Sequence, residues 1–393
     1  MSALGRVTAV PIHAPHSLPN FRRSTMDGYA VRAADTFGAS DSLPAFLTII
    51  GEVPMGREAN VELATGQAAI VHTGGMIPET ADAVVQIEHT QVIGNQYSVI
   101  GNQSPVSNLP FEIEVFRAVA PGQNVLQVGE DVQQEAEILP AGHQLRPQDI
   151  GGLLALGMMA VQVTRQPRVA ILATGDEVVA PDQSLSSGQI RDINSYTVAA
   201  QTVQAGGIPQ LGGIIPDDFE ALKQAAATAL ENADMLVMSA GSSVSVRDMT
   251  VRVIEQLGEP GVLLHGVATR PGKPTIVGVA AGKPVIGLPG NPVSAMIQFD
   301  MFGVPAIYKL QGLSAPPPRG SAWATLTQNI ASESGREDYV PARLAETAVG
   351  LQATPVFGKS NLIYTLVNAD GLIKIPLNKA GLLAGETVFV RLF

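Results

Sequence analysis

The chain contains no cysteine. That absence excludes disulfides, thiolate zinc sites and cysteine nucleophiles. Charged residues are scarce, at 15% of 393 positions. No cluster of Lys or Arg stands out, which argues against a nucleic-acid surface. No uncharged apolar run reaches the length of about 18 residues that a membrane span needs. The N-terminus also lacks the apolar stretch of a signal peptide. The six histidines are scattered. Their one close pair, His13 and His16, lies in a Pro-rich segment and reads as loop histidines. These absences predict a cytoplasmic protein with neither nucleic-acid nor membrane partners.

Glycine and proline are plentiful instead, 40 and 28 residues, beside a mean hydropathy of +0.21. That combination suggests buried strands joined by tight turns. The net charge is −11. An anionic ligand would therefore have to meet positive potential concentrated locally, in loops, helix N-termini or a bound metal ion. A chain of this length exceeds one compact core, so two to four domains are expected.

Along the chain, residues 1–30 are turn-rich, and 31–120 hold short β-like runs (FLTIIGEV, QAAIVHTG, ADAVVQIEHT, QYSVIG, FEIEVFRAV). Residues 121–165 are partly helical around PQDIGGLLALGM. From 168 onward strands and helices alternate, through RVAILAT, SYTVAAQTVQAG, IPQLGGII, DDFEALKQAAATALENA, DMLVMSAG and beyond, closing on one helix read over VSAMIQFDMFGVPAIYKL. Alternation predicts a largely parallel sheet with helices on both faces, and ligands beyond the carboxyl ends of its strands. APPPRG reads as a stiff linker. The β-rich remainder reads as a small barrel or sandwich.

Two loops, RPGKPT and GLPGNPVSA, flank the apolar runs TIVGVA and PVIGL. Pro fixes φ and Gly permits φ > 0, so both loops specify rigid paths. Ordinary turns are the plain alternative, but Lys273 and Asn291 on two such loops favour an anion site. Thr174-Gly175-Asp176-Glu177 places two acids at a strand exit, where Mg²⁺ could be held. Asp192 or Asn194 reads as the cap of the next helix. The loop Ser239–Asp248 is rich in hydroxyls and N–H groups and could cradle phosphate. PGKP is not a Walker motif, because Pro274 follows Lys273 and Val267 occupies the first glycine position. Asp27-Gly28 is a turn signal.

The motifs STMDGYAVR, HTGGMIP…ADAVVQIE, ATGDEV, GQIRDIN, SAGSSVSVRDMT, RPGKPT and GLPGNPVSA occur in the order of the MoeA / gephyrin E-domain family, and the end GLIKIPLNKAGLLAGETVFVRLF resembles that family's C-terminus. The resemblance covers about Ala9 to Phe393. It implies a multidomain α/β plus β protein: an elongated discontinuous domain (1–30 and 121–165, with a truncated N-terminus), an inserted β-rich module (31–120), a MogA-like doubly wound α/β domain that binds molybdopterin (166–314) and a C-terminal β-barrel (319–393).

The implied activity is that of a molybdopterin molybdenumtransferase, which inserts molybdate into adenylylated molybdopterin and releases AMP with Mg²⁺. A non-catalytic molybdopterin-binding paralogue or a gephyrin-like scaffold is the alternative. The family works as a homodimer, its site lying between one subunit's α/β domain and the other's β-rich module. A MogA/MoaB-type adenylyltransferase is the expected partner.

Carried onto this sequence, the catalytic residues are Asp27, Thr73, Glu177 and Asp248. The metal ligands are Asp176, Glu177 and Asp248. Pterin and anion contacts fall on Gly175, Asp176, Ser239, Gly241, Ser242, Ser243, on Arg270, Pro271, Gly272, Lys273, Pro274, and on Pro289, Gly290, Asn291, Pro292 and Ser294. Ala240 and Ser245 replace glycines usual in the family. If those positions needed φ > 0, each would add strain on the order of 1 kcal/mol.

Overall fold

The computed structural model describes residues 2–93, 110–240 and 244–393. They form two compact units, one of residues Pro11–Pro140 with Gln148–Val161, the other of Met1–Val10, Ala141–Pro147 and Gln162–Phe393.

The first unit is built on six strands, β1 (Gly28–Val31), β2 (Ala45–Glu52), β3 (Gln67–Val71), β4 (Ala83–Gln86), β5 (Thr90–Val92) and β6 (Phe111–Val115), in the order β4-β1-β3-β2-β6-β5. Strand β1 lies in the stretch read as turn-rich, since four residues are too few to show a period. All four are buried between β3 and β4. A Cβ on Gly28 would stand 2.0 Å from the Val85 carbonyl oxygen, so only glycine allows that approach. The QYSVIG run lies outside the described residues. The stretch PQDIGGLLA forms helix α1 (Pro147–Ala155).

The second unit contains an α/β layer structure. Its elements are β7 (Arg168–Thr174), α2 (Asn194–Gln204), β8 (Ile208–Ile215), α3 (Phe219–Asn232), β9 (Met235–Ala240), α4 (Val244–Gln256), β10 (Pro260–His265), β11 (Ile276–Ala280), β12 (Lys283–Pro289), α5 (Pro292–Gln298) and α6 (Val304–Leu310). The continuous apolar run of β7 is shared between two cores. Ala170 and Leu172 pack with Leu222 and Val253 of α3 and α4, while Val169 and Ile171 pack with Val198, Ala295 and Ile307 of α2, α5 and α6. Asp218 caps α3 by accepting from the Ala221 N–H at 2.8 Å, a contact worth about 1 kcal/mol.

The strand order is β8-β7-β9-β12-β11-β10. The first four strands are mutually parallel, but β11 and β10 run antiparallel to their neighbours. The expected parallel sheet therefore carries one reversed strand, β11, beyond which β10 runs in the original direction again. Ala240 closes a strand and Ser245 sits in α4, both regions of negative φ, so the strain expected there does not arise. The helix expected over VSAMIQFDMFGVPAIYKL is broken by a π turn at Phe299–Gly303. Pro305 follows it, and its ring removes the bond to the Met301 carbonyl.

The C-terminal strands are β13 (Ser321–Leu326), β14 (Glu337–Thr347), β15 (Gly350–Pro355), β16 (Gly371–Ile375) and β17 (Thr387–Leu392). They pair as β14-β15-β13-β17-β16, and β16 returns to β14. Closure makes this a five-stranded barrel rather than a sandwich and leaves no free edge. Its core includes Leu326, Ala342, Ile373 and Val390. Among the described residues, no helix is long and apolar enough to cross a membrane.

Candidate functional site

The residues singled out from sequence fall into three groups. In the first unit, β1 and β3 are antiparallel with Gly28 opposite Val71. The residue before one strand therefore meets the residues after the other. Asp27 Oδ1 accepts from both the Thr73 N–H, at 2.7 Å, and the Thr73 hydroxyl, at 3.0 Å. These bonds, the backbone one first, then the neighbouring His72, hold the Asp27 carboxyl below its ordinary value against a small opposing effect of burial. His72 Nε2 is 2.9 Å from Glu52 Oε1.

The second group stands at the carboxyl ends of β7, β8 and β9. Thr174 on β7 registers with Ile215 on β8, so the turns beyond them converge. Asp176 Oδ1 accepts from the Asp217 N–H at 3.2 Å. Burial first, then the charges of Asp176 and Glu177, push the Asp217 carboxyl up. Its Oδ1 is buried without a hydrogen-bond partner among the described residues. Asp217 is the acid the sequence reading missed. The one signal for it was its place directly after a strand, in the Pro-Asp-Asp run ahead of α3.

An orphaned carboxylate oxygen beside two exposed acids fits Mg²⁺, which takes hard oxygen donors and completes its shell with water and phosphate. The expected set was Asp176, Glu177 and Asp248. Asp217 joins the first two, while Asp248 is exposed on α4. Among the described residues, no three acids or histidines enclose a single ion position, so protein ligands alone would leave the shell incomplete.

Ser239 is the last residue but one of β9, and its Oγ accepts from Asn194 Nδ2 at 2.9 Å; the same nitrogen donates to the Gly290 carbonyl at 2.8 Å. Asn194 thus ties the β9 end to the LPGNP loop. Asp192 does the capping, accepting from the Ser195 N–H at 3.0 Å. Gly241, Ser242 and Ser243 lie outside the described residues.

A measurement follows from Asp217. Its raised pKa means the folded state favours the protonated form. Any stability it lends is present below its ordinary value of 3.8 and is lost as pH rises through the raised one. Asp217→Asn should therefore melt at a higher temperature than the parent at neutral pH without divalent ions. The gap should close as pH falls towards 4. Mg²⁺ should raise the melting temperature of the parent and not of the variant; an equal rise in both would remove Asp217 from the ion's surroundings.

The third group is a pocket of about 690 Å³ in the second unit. Because β11 and β12 are antiparallel, with Ile276 opposite Gly287, the RPGKP loop before β11 and the LPGNP loop after β12 reach the same end of the sheet. The two-residue strand Thr269–Arg270 pairs with Glu337–Asp338 of β14, which joins the first loop to the barrel. Asn291 does not cap α5; its Nδ2 donates to Ser360 Oγ at 2.9 Å, bringing the barrel loop in. The pocket wall carries Arg270, Lys273, Pro274, Ser294, Arg336 and Lys359, with Asp338 as its one carboxylate. Asp338 is 2% exposed. It lies 2.9 Å from Arg336 Nε and 3.7 Å from Arg270 Nη1. Neither Lys273 nor Lys359 is paired with a carboxylate among the described residues. In a chain of net charge −11, four cations against one lining carboxylate, with Arg336 also paired to Glu333 at 2.8 Å, still leave a local excess of positive charge suited to an anion. Arg336, Lys359 and Ser360 were not singled out from sequence, since no local motif marks them.

Gly272 has φ +112°, and a Cβ there would come within 2.3 Å of the Gln298 side chain. Gly272→Ala should cost about 2 kcal/mol, read as a lower midpoint in denaturant. An unchanged midpoint would mean that the loop relaxes freely.

Comparison with known proteins agrees with this geometry. Residues 1–157 match the MoeA N-terminal region (domain I and II), residues 170–309 a probable molybdopterin binding domain, and residues 324–393 the MoeA C-terminal region (domain IV). The molybdopterin molybdenumtransferase of Bacillus subtilis is 34% identical over 391 residues, spanning 99% of this chain and 88% of that protein. The Nostoc protein of the same name is 33% identical over 395 residues, spanning 99% and 86%. A crystal structure of the molybdopterin biosynthesis MoeA protein of Pyrococcus horikoshii superposes with a TM-score of 0.81 at 32% identity, covering 100% of this chain and 92% of that one. With all three regions matched in chain order and relatives above 30% identity along almost its whole length, the chain belongs to the MoeA family of molybdenum cofactor biosynthesis.

Proposed function

We propose that the chain is a molybdopterin molybdenumtransferase that takes adenylylated molybdopterin and molybdate, places the metal at the dithiolene and releases AMP. The observation that carries this reading is the pocket where Arg270, Lys273, Arg336 and Lys359 surround a single carboxylate. Its size and charge suit a tetrahedral dianion beside a phosphate-bearing pterin. The relatives that bear this activity's name support it.

Asp176 and Glu177, with Asp217 beside them, would hold Mg²⁺ only together with phosphate and water oxygens, and a divalent ion there offsets phosphate charge that the acids would otherwise repel. Asp27 and Thr73 belong to the other unit, and a homodimer would let a second copy present them to the pocket. Asp248, exposed on α4, is the remaining acid to test for turnover. An adenylyltransferase of the MogA/MoaB type would supply the substrate, in the cytoplasm.

The test is to mix the protein with adenylylated molybdopterin, molybdate and Mg²⁺ and to measure AMP. Release that needs both molybdate and Mg²⁺ is expected. Pterin binding without AMP would favour a non-catalytic paralogue or a gephyrin-like scaffold instead.

A further inference from the structure

Gln298 is the last residue of α5 and is 0% exposed. Its Nε2 donates to Thr269 Oγ1 at 3.0 Å and to the Pro271 carbonyl at 2.8 Å. A carbonyl oxygen only accepts, so the amide is fixed with its nitrogen towards the loop. The other end, Oε1, is buried and accepts nothing among the described residues. The side chain also fills the space that a Cβ on Gly272 would take. Gln298 does not line the pocket; it holds the RPGKP loop from within the core.

An aliphatic side chain of this volume would fill the space without an orphaned acceptor. Packing alone therefore does not account for an amide here. What the amide adds is two directed hydrogen bonds to the segment immediately before Lys273. The helix it ends begins at Pro292, directly after Asn291 of the LPGNP loop. One seven-residue helix thus carries the second loop at its start and the anchor of the first at its end.

We propose that Gln298 is a positioning residue that fixes the RPGKP loop, and with it Lys273, in the orientation that binds the oxyanion. The loop is otherwise held by the Thr275 N–H and hydroxyl on the Gly272 carbonyl, by the Val267 N–H on the Lys273 carbonyl, and at its start by the pairing of Thr269–Arg270 with β14. Those bonds set its shape. Gln298 sets its placement against α5 and the LPGNP loop. This proposal rests on the reading of the pocket as an oxyanion site.

The experiment measures molybdate affinity by calorimetry on the full chain, with parent, Lys273→Ala, Gln298→Met and Gln298→Asn, alongside each melting temperature. Gln298→Met keeps the volume and removes both bonds. Gln298→Asn keeps the amide but withdraws it by one methylene. Either folded variant should bind molybdate about tenfold more weakly than the parent. Gln298→Met loses its own orphaned acceptor but leaves the Thr269 hydroxyl and the Pro271 carbonyl without this donor, so only a small change in melting temperature is expected. A residue that only packs would leave the affinity alone in both variants. Parent-like affinity in either folded Gln298 variant, with Lys273→Ala weakened, overturns the role of Gln298 alone. A parent that does not bind molybdate overturns the oxyanion reading and this proposal together.

Discussion

Asp27→Asn is expected to lower AMP release by roughly 10²-fold, the scale on which misplacing a reacting group costs rate, with the fold intact. Asp27 is exposed at the start of β1, so its removal leaves no buried group unpaired except through Thr73. The Thr73 bonds keep the carboxyl ionised below its ordinary value of 3.8. Its charge-dependent contribution is therefore present throughout the neutral range and is lost only as pH falls through that lowered value. A weakly basic carboxylate of this kind serves best as a fixed acceptor that orients Thr73 or a ligand hydroxyl. Asn preserves the shape and one acceptor, yet loses the charge. Parent-like turnover would remove Asp27 from the reaction.

The same variant tests the dimer. Asp27→Asn lies in one unit and Lys273→Ala in the other. If each site draws on two copies, a mixed dimer holds one site with both changes and one with neither. Equal amounts, subunits exchanged freely, should then recover about a quarter of parental activity, because half the dimers are mixed and half their sites intact. If each copy builds its own site, every site in a mixed dimer carries one lesion and no activity returns.

Lys273→Ala is the second large effect. It should weaken molybdate binding by about ten- to a hundredfold, as expected for one hydrogen bond to a charged partner, with little loss of stability. The contrast is Arg336→Ala. That change removes the nearer partner of the buried Asp338 carboxylate and leaves Arg270 at 3.7 Å; removing one partner of a buried pair costs up to about 3–5 kcal/mol. Arg336→Ala should therefore lower the denaturation midpoint as well as binding, whereas Lys273→Ala separates the two. Added salt should weaken the parent's binding more than that of Lys273→Ala, since screening acts on charge that the variant has already lost. Equal affinity of parent and Lys273→Ala would mean that the anion sits elsewhere.

Much of this was legible beforehand because the signals are local. Glycine and proline mark RPGKP and LPGNP as rigid through φ alone. Acids and hydroxyls ahead of apolar periodicity mark the start of α3, where Asp218 does accept the Ala221 N–H. Continuous apolar runs mark strands covered on both faces, as β7 is. The order of the motifs is a property of the string, and it was enough to indicate the family.

Other features depend on strand direction and order, which hydrophobic periodicity does not encode. A run such as TIVGVA has the same pattern whichever way it runs. Only the antiparallel β11–β12 pairing places its preceding loop beside the loop that follows PVIGL; in a parallel sheet the two would sit at opposite ends. Asp217 joins Asp176 because β8 lies in register beside β7. Arg336 and Lys359 reach the pocket because barrel closure and the short pairing with Thr269–Arg270 deliver them there. The sequence by itself determined which segments are rigid, which are buried and which family they belong to. The tertiary structure alone decided which charges share a pocket, because that follows from contacts between residues tens of positions apart, and no local pattern carries them.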